Sequence, residues 1–213
     1  MPFDFLKRKK GPAPADGATV SGPAGEGIRF EGFTEDWRLV GRMQVGGRMS
    51  DALNKREPIE ITEIEWAPVD GSAALAPAPG LKSVDPYDLV LVFANDGAGP
   101  QPNDEERSAH RVHKVSYGVA LEAPPYRVVG TVLLYPGSEP DSLLQRSSDM
   151  FVPIVDATAT MGDTVIGTPS ASAILVNRQY LRGVEQVDLR TGERHRPLPG
   201  APLGGTNWTD KAR

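Results

Sequence analysis

Ile59-Glu60-Ile61-Thr62-Glu63-Ile64-Glu65-Trp66 alternates apolar and polar residues, but Ile59 and Ile61 share one parity while Ile64 and Trp66 share the other. Period-2 alternation marks a strand with one buried face. A slip of one residue exchanges the faces, so a β-bulge is expected near Thr62–Glu63. The same alternation recurs on both sides of this stretch. Leu39, Gly41, Met43 and Val45 oppose Arg38, Arg42 and Gln44, and Val115, Tyr117, Val119 and Leu121 oppose Lys114, Ser116 and Gly118. Leu89–Phe93 and Val128–Leu134 are apolar on both parities and read as central strands covered on both faces.

Helix is scarce. Ser50-Asp51-Ala52-Leu53-Asn54 opens with N-cap chemistry, and Asp141–Arg146 follows Pro140, which suits a first helical turn. Both are too short to stand alone and should sit over an open end of a sheet or barrel. With 20 prolines and 23 glycines among 213 residues, many short elements separated by turns are expected. The fold class is therefore mainly β with short helices.

Two stretches can be laid over one another. Arg38–Gly41, Ser50–Asn54, Ile59–Glu63 and Leu91–Phe93 match Arg127–Gly130, Pro140–Leu144, Val152–Asp156 and Leu175–Asn177. Each reads as a strand with Val-Gly, a short helix, a strand ending in an acidic residue, a long loop and a strand. The expectation is two similar small bent sheets or barrels, packed as a pseudo-symmetric tandem pair. The corresponding organisation is a head and linker over 1–27, one β-rich repeat over 28–105, a second over 106–189 and a disordered tail over 190–213. Residues 11–26 are Gly-, Pro- and Ala-rich and read as a flexible linker.

These features resemble a bacterial family of unknown function with a tandem, strand-rich domain. The resemblance spans Asp36–Val187, about 70% of the chain. It rests on Asp36-Trp37-Arg38-Leu39-Val40-Gly41-Arg42, Ser50–Pro58, His110–Lys114, Ala123–Gly130 and Val176-Asn177-Arg178. Met150-Phe151-Val152-Pro153-Ile154-Val155-Asp156 departs mildly from the family's Phe-Leu-Pro-Leu-Thr-Asp run. The resemblance implies a fold and no activity.

Composition excludes several classes. Without cysteine there is no disulfide, thiolate nucleophile or Cys-based zinc site. No apolar run is long enough for a membrane-spanning helix, and no secretory signal opens the chain, so a cytoplasmic setting is expected. Of the net charge of −5, the first ten residues carry +3 and the remainder −8. An acidic body argues against nucleic acid, whose phosphates need clustered cations.

His110 and His113 follow Glu105 and Glu106 and are the candidate metal ligands. Arg107, Arg111 and Lys114 are interleaved with them, which favours surface histidines. No nucleophile elbow or phosphate loop occurs, and Glu63, Glu65, Asp156 and Asp163 are the carboxylates that a paired-acid mechanism would draw on. Glu63 and Asp156 read more simply as structural residues near strand ends. No catalytic residue or cofactor is assigned. Trp37, Arg38, Arg42, Trp66, Tyr126 and Arg127 could form a stacking surface for single-stranded RNA, though core tryptophans beside exposed arginines fit the acidic body better.

The functional expectation is a non-enzymatic interaction or scaffold module with an unknown protein partner. A small-ligand or nucleotide sensor using the cleft between the repeats is the alternative, and an RNA-binding small β-barrel the second. The head offers a peripheral contact of its own. Phe3, Phe5 and Leu6 precede Lys7, Arg8, Lys9 and Lys10, a pattern suited to weak, salt-sensitive binding at an anionic membrane.

Overall fold

A computed structural model describes residues 27–94, 114–145, 149–169, 171–191 and 193. Twelve strands and one short α-helix follow in order: β1 (Ile28–Phe33), β2 (Trp37–Met43), α1 (Met49–Asn54), β3 (Ile59–Pro68), β4 (Ala76–Pro77), β5 (Ser83–Val84), β6 (Leu91–Ala94), β7 (Val115–Ala123), β8 (Tyr126–Leu134), β9 (Phe151–Met161), β10 (Thr164–Ile166), β11 (Ala173–Asn177) and β12 (Gly183–Gln186). Short 3₁₀ turns occupy Pro86–Asp88 and Pro140–Leu144. All strands join one open antiparallel sheet in the order β12-β7-β8-β9-β11-β6-β1-β2-β3-β4, with β10 on β9 and β5 on β3. The mainly β reading holds.

The expected bulge lies where the parity slips. Arg42 pairs with Thr62 and Val40 with Glu65, so Gly41 alone faces Glu63 and Ile64. Glu63 takes a left-handed φ of 52°, which turns Ile64 back to the core side. A Cβ on Gly41 would lie 2.2 Å from Ile64 Cδ1 and 2.9 Å from the Thr62 carbonyl oxygen. A similar arrangement recurs between β8 and β9: the register shifts around Gly130, and Asp156 has φ 50°. Glu63 and Asp156 therefore lie mid-strand at bulges rather than near strand ends.

These shared details do not establish a tandem pair. β6 pairs with β1, whereas β11, its counterpart in the alignment, pairs with β9, and the two halves meet by β6 pairing with β11. One continuous sheet replaces the separate sheets or barrels.

That junction organises the core. Leu91 and Phe93 of β6, with Ile174 and Val176 of β11, face one apolar cluster; Val92 and Leu175 face the other. Successive side chains on a strand point to opposite faces, so each cluster lies on its own side of the central strands. Neither half completes its cluster alone. The one built on β7–β9 also contains Phe33, Val90, Leu91 and Phe93, and the one built on β2, α1 and β3 also contains Met150, Phe151 and Leu175.

Polar ties cross the same boundary. Asn54 Nδ2 donates to the Phe151 carbonyl and Asn54 Oδ1 accepts the Phe151 N–H at 2.7 Å, extending the edge of β9 with a side-chain amide. Fully buried Asn177 donates to the Leu89 carbonyl at 2.8 Å. Glu31, 5% exposed, accepts from Arg38 Nε at 2.7 Å and from Thr168 Oγ1 at 2.5 Å. Burying a carboxylate is costly unless its oxygens receive donors such as these.

Two local expectations change. Val128–Leu134 is covered on one face only, since Leu133 is 47% exposed and β8 alternates along its length. Helix α1 begins at Met49 after Arg48, with no side-chain cap; Ser50 sits inside it and contacts Asp51. Its apolar residues Met49 and Leu53 close one core cluster, and that packing, rather than capping, holds so short a helix.

Candidate functional site

An exposed aromatic pair begins where β1 turns into β2. Thr34 organises the turn: its Oγ1 accepts the Trp37 N–H at 2.9 Å, and its backbone N–H donates to the Trp37 carbonyl at 2.8 Å. From the other half of the sheet, the Tyr126 hydroxyl donates to the Thr34 carbonyl. Burial, with Asp36 and Glu35 nearby, pushes the Tyr126 hydroxyl far above its ordinary pKa, so it remains a donor at all ordinary pH. The turn carrying Trp37 is thus held by β8.

Trp66 lies directly opposite Leu39, two residues beyond Trp37 on the same face of β2. This diagonal brings the indoles into stacking contact, with centroids 4.6 Å apart and planes inclined by 17°. The bulge permits it by returning Ile64 and Trp66 to that face. The rings are 39% and 41% exposed, so neither tryptophan is a core residue. They stand at the rim, beyond the point where Leu39 and Ile64 close the cluster. Glu35, Asp36 and Glu65, all exposed, are their sequence neighbours.

The other aromatic and cationic candidates do not join them. Tyr126 is 1% exposed and packs edge-on to Phe33 at 5.7 Å. Arg38 projects from the opposite face of β2 toward Glu31, and Arg127 pairs with Glu122 at 2.8 Å on β7–β8. No six-residue stacking surface forms.

Two clefts flank the bulged region. One of about 620 Å³ runs along the bulge and is walled by Arg29, Arg42, Glu63, Glu65 and Lys82. A smaller one, about 390 Å³, lies between the halves, with Val69, Leu75, Val165 and Ile166 around Arg38. Of the acidic candidates, Glu63 and Glu65 share the first cleft. Asp156 belongs to the β9 bulge and Asp163 to the β9–β10 turn.

His110, His113 and the head residues Phe3, Phe5, Leu6, Lys7, Arg8, Lys9 and Lys10 lie outside the described residues. Among the described residues no group of three or more His, Asp or Glu could hold a metal, and no helix is long and apolar enough to cross a membrane. The fold and its rim define an open antiparallel β protein with a surface indole pair. Comparison with protein-family models, curated proteins and solved structures finds no match to this chain.

Proposed function

We propose that this chain is a non-enzymatic protein-binding module whose contact surface is centred on Trp37 and Trp66. The observation that carries this reading is the stacked, half-exposed indole pair on a turn held by both halves of the sheet. Aromatic side chains bury 150–250 Å² each when covered, and tryptophan dominates binding energy where it occurs at interfaces. Rings already stacked and fixed lose little conformational freedom on binding. Because each covers one face of the other, a partner meets their outer faces and edges rather than slipping between them.

The surrounding charge selects the partner. Glu35 and Asp36 repel phosphates, which disfavours RNA at this rim. The same carboxylates attract Lys and Arg, whose cations also sit favourably over indole faces. The partner is therefore a protein segment carrying basic and apolar side chains. Titrating an Arg/Leu-containing peptide into the full chain should shift the indole N–H resonances of Trp37 and Trp66. The double variant Trp37→Ala, Trp66→Ala should weaken binding at least roughly tenfold. Unmoved indole signals, or equal binding by the variant, would refute the assignment.

The head supplies the second contact in this proposal. Four consecutive cations contribute about 1 kcal/mol each near an anionic surface, and three apolar side chains add a modest, partly buried increment. Full-length protein should co-sediment with anionic liposomes at low salt and release at high salt. A chain starting at Gly11 should not pellet; equal pelleting of both would remove the membrane role.

A further inference from the structure

We propose that the cleft along the β2–β3 bulge binds a small phosphate-bearing molecule through Arg29, Arg42 and Lys82. Arg29 and Arg42 stand directly opposite each other on the antiparallel β1–β2 pair. Like charges in that position repel and destabilise a sheet. Both side chains line the 620 Å³ cleft, and Lys82 joins them from the strand-covering segment beyond β3.

Their neutralisation is incomplete. Arg42 Nε donates to Glu63 Oε2 at 3.0 Å and its Nη1 to the Gly27 carbonyl at 3.0 Å, leaving Nη2 without a partner among the described residues. The Arg29 and Lys82 side chains have no hydrogen-bond or ion-pair partner among the described residues. Glu65 is the remaining carboxylate on the walls, so three cations face two acids inside a protein whose body is acidic.

The bulge itself does not need these cations. At the corresponding Gly130–Asp156 bulge, the residues facing each other in the places of Arg29 and Arg42 are Gly118 and Thr131. Asp156 adopts the same left-handed conformation there with no ion pair among the described residues. The arginine pair is thus an addition to the bulge rather than part of its construction. Guanidinium groups match phosphate oxygens with paired hydrogen bonds, and a dianion between Arg29 and Arg42 offsets their mutual repulsion. No phosphate loop is required, because the donors are side chains.

The test is calorimetric titration of the full chain, in phosphate-free buffer, with inorganic phosphate, AMP and adenosine, and with oligouridine as a separate arm. Saturable binding of phosphate or AMP, and none of adenosine, is expected; comparison of the two phosphates shows whether the free ion or a nucleotide is preferred. Arg29→Gln and Lys82→Gln should each weaken binding roughly tenfold or more. Arg29→Gln should also melt no lower than the parent without ligand, because a repulsion is removed. Adenosine binding as well as AMP, binding of oligouridine alone, unchanged affinity in both variants, or no saturable binding at all would overturn the proposal. The Trp37→Ala, Trp66→Ala variant should bind phosphate normally, which separates this site from the indole surface.

Discussion

Phe151→Ala should lower stability by about 4 kcal/mol, the range for deleting a fully buried phenylalanine. Phe151 is 1% exposed and starts β9, yet it packs into the cluster formed by β2, α1 and β3. The cavity would therefore open in the half of the sheet that carries the indole pair. In a Trp208→Phe background, fluorescence reports Trp37 and Trp66 alone. That signal and the far-ultraviolet dichroism should shift together, by roughly 10 °C for a domain of this size. A tryptophan transition left in place while the dichroism shifts would show that the halves are not interlocked.

The second large effect is expected at Gly167, where φ is 79° and an added Cβ would sit 2.2 Å from two carbons of the Phe93 ring. That ring cannot retreat freely, because Phe93 is 3% exposed and lies 5.4 Å from the Phe33 ring. Gly167→Ala combines left-handed backbone strain with overpacking, about 3 kcal/mol in all. It also displaces the neighbouring Thr168 hydroxyl from Glu31, leaving a buried carboxylate with one donor fewer. Gly162→Ala is the control: its φ is 58°, nothing lies within 4 Å of the added Cβ, and only the backbone cost of about 1 kcal/mol applies. Chemical denaturation of the two variants measures the difference directly. Equal losses would mean that the 167–168 turn is not wedged against Phe93.

Much of this arrangement is readable before any coordinates. The parity slip between Ile61 and Ile64 locates the bulge because the pleat has a strict period of two. The unbroken apolar run in Leu89–Phe93 marks β6 as covered on both faces for the same reason. The same inference fails for Val128–Leu134. β-branched residues suit strands whether or not both faces are covered, so Val129 sits half-buried and Leu133 reaches solvent.

Tryptophan misleads differently. Size and apolarity argue for the core, but whether Trp66 is buried depends on where the cluster ends along β3. Its stacking on Trp37 further depends on the register of β2 against β3. Glu31 carries no sequence signal at all. It alternates with core residues like any solvent-facing acid, and its burial depends on Thr168, 137 residues away. The two-repeat alignment captures the glycine and acidic residue of each bulge but not the sheet order, because which strand completes which cluster is set by long-range pairing.

The two half-sheets complete each other's cores, and separating them tests that interlock most directly. Residues 28–105 and 106–189, expressed individually, should each show no cooperative thermal transition and poorly dispersed amide resonances, whereas 28–189 should melt in a single sharp step. A sharp transition and a dispersed amide spectrum from either half alone would contradict it.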